Sequence, residues 1–106
     1  MARALINVPT SAKRGEVIEI KTLIAHPMEP GYRPNSSGEI QPRDIINLFV
    51  CTYNGEEIFR VRLSPAIAAN PFVAFSTRAV ASGKLEFNWT GDNGFSASES
   101  VAITVD

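Results

Sequence analysis

Residues 44–63 constrain this chain more than any other stretch, because they read as a complete β-hairpin. Asp-Ile-Ile-Asn-Leu-Phe-Val-Cys-Thr-Tyr is followed by Asn54-Gly55 and then by Glu-Glu-Ile-Phe-Arg-Val-Arg-Leu. A two-residue type I′ turn needs φ > 0 at both central positions, which Asn and Gly tolerate best. So short a loop also sets the register. It places Tyr53 opposite Glu56, Val50 opposite Phe59, Leu48 opposite Val61 and Ile46 opposite Leu63. The last three pairs are apolar and share one face, so that face is expected to point into a core. The other face carries Phe49, Cys51, Tyr53, Ile58, Arg60 and Arg62. It can be core beneath another sheet, a solvated face with arginine stems laid over aromatics, or a protein interface. Aromatic residues with Arg are enriched in interface cores, which favours the third reading.

Short alternating runs recur between turn signals along the rest of the chain, and no helical period is sustained. Strands are expected at 4–8, 16–24, 71–77, 84–90 and 95–105 in addition to the two of the hairpin. In the second run Ile18, Ile20 and Ile24 oppose Glu19 and Lys21. Phe72, Val73 and Phe75 are the apolar anchors of the run after Pro71, and Leu85, Phe87 and Trp89 point inward from the next. The last run would bury Phe95, Ala97, Val101, Ile103 and Val105, but Glu99 falls on the same set. Either a bulge shifts the register there or Glu99 overhangs the core. Residues 11–15 read as a turn, 64–70 as a compact link with room for one helical turn, and Gly91-Asp92-Asn93-Gly94 as a second hairpin turn. The pattern predicts an all-β fold, an immunoglobulin-like antiparallel β-sandwich of about seven strands, in a single domain over residues 1–106.

Residues 25–42 break the pattern. Pro and Gly recur too often for regular structure, and so long a connection in a compact domain is often functional or disordered. His26, Met28, Tyr32 and Arg33 point to contacts, since disordered segments are poorer in such groups.

The formal net charge of −1 argues against nucleic-acid and anionic-membrane partners, which select for a clustered basic excess. No apolar run is long enough to span a bilayer, and the first residues lack the apolar segment of a secretory signal. His26, Met28 and Cys51 are soft or borderline metal ligands, but a blue-copper site needs two histidines and the chain has one. Neither metal nor other cofactor is expected. A Ser-His-Asp triad has no support in the spacing. Cys51 is mid-strand, with no His or Lys beside it to lower its pKa, and is expected to be an inert packing residue. No catalytic residue is expected, and the chain reads as a binding protein.

Several stretches together resemble the Z subunit of the SoxYZ sulfur-carrier complex of thiosulfate-oxidising bacteria. They are Lys-Thr-Leu-Ile-Ala-His-Pro-Met at 21–28, Gly-Tyr-Arg at 31–33, Arg-Asp-Ile-Ile at 43–46 and Tyr-Asn-Gly-Glu at 53–56. Pro-Ala-Ile-Ala-Ala-Asn-Pro at 65–71 and Phe-Asn-Trp-Thr-Gly-Asp-Asn-Gly-Phe at 87–95 complete the set. The resemblance implies an immunoglobulin-type sandwich that pairs with a Y subunit, on whose C-terminal Gly-Gly-Cys-Gly-Gly motif the sulfur intermediates travel. This chain ends Val-Ala-Ile-Thr-Val-Asp without that motif, so it resembles the non-carrying partner. Other Sox enzymes would act on the complex. The family also implies a periplasmic location, reached by co-export with a twin-arginine-signalled Y subunit. On this reading the outer hairpin face binds Y, the 28–41 loop frames the carrier arm or docks enzymes, and the isolated chain can pair with itself. The alternative is a free-standing sandwich that recognises a ligand or protein through its 25–42 loop.

Overall fold

The computed structural model describes residues 3–106. It contains eight strands: β1 (Ala4–Asn7), β2 (Ser11–Ala12), β3 (Val17–Ile24), β4 (Ile46–Tyr53), β5 (Glu56–Arg62), β6 (Phe72–Arg78), β7 (Gly83–Gly91) and β8 (Ser96–Val105). They form two sheets, in the orders β1-β3-β6 and β2-β8-β7-β4-β5. The core lies between them, and the expected all-β sandwich is the observed architecture. All pairings are antiparallel except β2 with β8, which run parallel at Ser11–Thr104 and Ala12–Val105. This two-residue strand occupies what the sequence presents as a turn. The 64–70 link contains turns and no helix.

Alternation dictates the inner faces. β3 buries Ile18, Ile20, Thr22 and Ile24, and the Thr22 hydroxyl meets its hydrogen-bonding need by donating to the Val73 carbonyl at 3.0 Å. β7 buries Leu85, Phe87 and Trp89 as expected. In β6 the period of two admits only one of two neighbouring residues, so Val73 and Phe75 pack inward while Phe72 is 61% exposed. Glu99 stays in register opposite Phe87 and is exposed. Only the end of β8 meets β2, so Glu99 stands on an open edge. A charge placed on the inward set of an edge strand is a known guard against strand addition.

Two local features set the hairpin. Asn54 and Gly55 have φ of 49° and 84°, as a type I′ turn needs, and Tyr53 does pair with Glu56. One step further the register slips: Thr52 pairs with Glu57, but Cys51 pairs with Phe59. Ile58 is therefore an extra residue, a β-bulge. Beyond it Phe49 meets Val61 and Leu48 meets Arg62.

Residues 29–43 hold no strand or helix, as their Pro and Gly content leads one to expect, yet they are held in place. They form a finger closed at its root by paired backbone hydrogen bonds between Glu29 and Asp44, at 2.8 and 2.9 Å, with a second bridge at Pro34–Ile40. The Asn35 side-chain oxygen turns the tip by accepting from the Ser37 and Glu39 amides, at 2.8 and 3.1 Å. Gly31 is confined by its neighbour: an added Cβ there would lie 2.9 Å from Arg43 Cβ, across the finger. A ten-residue strand reaches about 33 Å, and the molecule's long axis is 59 Å.

Candidate functional site

The hairpin face expected to dock a partner is largely core. Phe49 and Cys51 are fully buried and Tyr53 is 5% exposed. The reason lies in the neighbouring strand. β4 pairs with β7 so that Phe49 faces Trp89, Cys51 faces Phe87 and Tyr53 faces Leu85, and paired residues share a side of the sheet. The bulge at Ile58 then carries Phe59 and Val61 over to that same side. Of the face drawn from sequence, Arg60 and Arg62 are exposed and Ile58 is half-buried. Leu48 and Val50, expected inward, are half-buried opposite Arg62 and Arg60. Ile46 is buried as expected, since a second register irregularity between Ile46 and Leu48 turns it inward.

Four of the six residues have settings fixed by specific contacts or by burial. The Phe49 ring lies 5.1 Å from Trp89 and 6.1–6.3 Å from Phe59, Phe75 and Phe87. The Tyr53 hydroxyl donates to the Ala81 carbonyl at 2.5 Å and accepts from the Val80 and Ala81 amides at 3.2 Å, which ties the hairpin end to the β6–β7 connection. Tyr53→Phe leaves those three backbone groups without their partner. A loss of about 1–3 kcal/mol in urea unfolding is expected. Burial pushes the Cys51 thiol up to about 12, so it is protonated and a poor nucleophile near neutral pH. Arg60 pairs with Glu57 at 2.9 Å and holds that carboxyl below its usual range.

The finger residues divide in two. Tyr32 and Arg33 lie on the finger, Tyr32 at 74% exposure, and Arg33 pairs with Glu29 and keeps its carboxyl below the usual range. His26 and Met28 are instead buried at its root. His26 Nδ1 accepts from the Met28 amide at 2.9 Å, and the Met28 thioether accepts from the Ile46 amide at 3.3 Å.

Three features were missed from sequence. Asp92 organises the opposite root: its carboxylate receives two bonds from Arg43 at 2.8 Å and one from the Ile45 amide at 3.1 Å. The Arg43 guanidinium, then the Ile45 amide, hold its pKa below the ordinary value. Asn70 fixes His26 from the 64–70 link. On the outer face of the three-stranded sheet, Leu5 pairs with Leu23 and Leu23 with Phe72, giving an apolar row 66%, 37% and 61% exposed. Alternation in β1 and β3 hinted at this row, but its alignment depends on inter-strand register. Among the described residues, no three His, Cys, Asp or Glu side chains gather as a metal site requires.

Residues 6–102 match the family model of the sulphur oxidation protein SoxZ. No curated protein matches the sequence significantly. Among solved structures, the superoxide reductase (neelaredoxin) of Ignicoccus hospitalis is similar with a TM-score of 0.71 and 15% identity, over 97% of this chain and 80% of that one. The sulfur carrier protein SoxY of Chlorobium limicola f thiosulfatophilum is similar with a TM-score of 0.68 and 11% identity, over 97% and 78%. A putative superoxide reductase of Thermotoga maritima has a TM-score of 0.66 and 16% identity, over 97% and 85%. At these identities the structural likeness shows a shared fold alone.

Proposed function

The chain belongs to the SoxZ family of sulphur oxidation proteins, and from that premise we propose that it is the non-catalytic partner of a SoxY-type sulfur-carrier subunit. The family match over residues 6–102 carries this reading. Its one cysteine supports it, since Cys51 is buried with a strongly raised pKa and is a poor place to load a sulfur cargo. Sulfur intermediates would ride on the Y subunit, in the periplasm, with this chain exported alongside it.

The docking surface is relocated from the hairpin to the Leu5–Leu23–Phe72 row. Contiguous exposed apolar side chains on one sheet face mark an interaction site more often than plain surface. The finger, with Tyr32 and Arg33 on its surface, serves the carrier arm or the enzymes that visit it. An isolated chain would cover the same apolar row by pairing with a second copy.

Co-expression with the SoxY-type protein from the same genome tests the reading. A stable complex on size exclusion is expected, with a mass gain on the Y subunit and none on this chain after exposure to thiosulfate and the Sox enzymes. A mass gain on Cys51, or no complex, rejects it. Phe72→Asp is expected to weaken the complex at least tenfold, about 1.4 kcal/mol, without lowering the melting temperature of the isolated chain. Arg60→Glu, on the hairpin face, is expected to change it little. The reverse outcome would return the interface to the hairpin.

A further inference from the structure

We propose that His26 is a pH-sensitive latch on the root of the finger. His26 is 6% exposed, and its imidazole sits between both ends of that element. Nδ1 accepts the Met28 N–H at 2.9 Å, so in this state Nδ1 carries no proton. The proton is then on Nε2, which lies 4.0 Å from a carboxylate oxygen of Asp44. Met28 leads into the finger and Asp44 closes it through the paired bonds with Glu29. The ring also meets Phe95 edge-on at 4.8 Å, and the His26 amide donates to the Asn70 side-chain oxygen at 2.9 Å, with Arg3 lining the hollow beside Ala25 and Asn70. Asp44 is the carboxylate facing the ring, while Arg43 and Asp92 beside it are engaged with each other.

Protonation reverses the chemistry at one nitrogen. An imidazolium carries N–H on both sides, so Nδ1 ceases to accept and two donors face each other. The buried Met28 N–H loses its partner, while the Nε2–H that already faces Asp44 at 4.0 Å gains only the attraction between a full positive charge and the carboxylate. Acid therefore breaks the Met28 bond and draws the ring toward Asp44. The exchange bears on a strained point, because Met28 has φ of 52°, in the left-handed region that non-glycine residues rarely occupy. Two hydrogen bonds help to hold it there, from its amide to the imidazole and from the Ile46 N–H to its sulfur, along with burial of its side chain in the core. Removing the first loosens the root of the finger and leaves the sandwich intact. Histidine is suited to this because its unperturbed charge change falls between about pH 5 and 8.

The test is an NMR titration of the full-length chain from pH 8 to 5, following the imidazole resonances and amide hydrogen-exchange protection. As His26 titrates, protection at Met28 and Glu29 is expected to fall at least about tenfold, the loss of one buried hydrogen bond. Phe87 and Trp89 in β7 are expected to keep theirs. His26→Gln supplies an acceptor that does not titrate, and should make protection at Met28 independent of pH. Unchanged Met28 protection through the titration, the same pH dependence in H26Q, or no titration of His26 in this range overturns the proposal. If H26Q does not fold, the wild-type titration decides alone.

Discussion

Phe49→Ala is expected to destabilise the protein by about 3–5 kcal/mol, the range for removing a fully buried phenylalanine. Total stability of a domain this size is of order 5–15 kcal/mol, so the variant should unfold at much lower urea and lose population at ambient temperature. The loss comes from a single packing centre. Phe49 touches aromatic rings from β5, β6 and β7 at once, with centroids 5.1–6.3 Å away, so the cavity is lined by both sheets and cannot collapse by moving one of them. Equilibrium unfolding followed by Trp89 fluorescence measures the effect. A docking residue would behave otherwise: surface substitutions usually change stability by less than about 0.5 kcal/mol. A Phe49→Ala protein of wild-type stability and weakened partner binding would reinstate the hairpin face as the interface.

Gly91→Ala is the second large effect. Gly91 ends β7 opposite Ile46, and a Cβ placed there would lie 2.4 Å from the Ile45 carbonyl oxygen and 2.9 Å from Ile46 Cα. Both are backbone atoms, so no side chain can swing aside. β4 and β7 would have to separate where Asp92 receives the Ile45 amide and the Arg43 guanidinium. Overpacking of this kind costs about 1–3 kcal/mol and sometimes more, which for a domain near 100 residues is a fall of roughly 4–8 °C in Tm per kcal/mol. Calorimetry gives the size. Displaced Ile45 and Ile46 amide resonances would locate the damage at the finger root, whereas a melting temperature within 2 °C of wild type would show that the strands yield at little cost. This contact explains the glycine that follows Trp-Thr in the chain.

Both outcomes turn on how β4 was read. Each face of that strand carries apolar residues, Leu48 and Val50 on one and Phe49, Cys51 and Tyr53 on the other, so binary pattern does not choose between them. A two-residue turn in regular register does choose, since it sets Leu48 and Val50 against the apolar side of β5. A single bulged residue, Ile58, inverts the inference, because one slip exchanges every pair beyond it. The finger has the lack of regular strands that its sequence indicates, and its order comes from elsewhere. Pro and Gly exclude long regular strands, but two isolated bridges, an Asn35 turn and a Glu29–Arg33 pair need none. His26 and Met28 were recognised as contact-making, and their contacts turned out to be internal.

The sequence by itself determined whatever depends on neighbours along the chain. The Asn54-Gly55 turn, the turn at 91–94, the inward sets of β3, β7 and β8, the all-β class and the family motifs are all local, set by backbone sterics and alternation. Only the tertiary structure decided which face of β4 is core and where an apolar surface remains exposed. Both depend on register between strands distant in sequence: β7 draws Phe49, Cys51 and Tyr53 inward, and β1, β3 and β6 align Leu5, Leu23 and Phe72 outward. A strand's own pattern states that its two faces differ. Its partners decide which of them is buried.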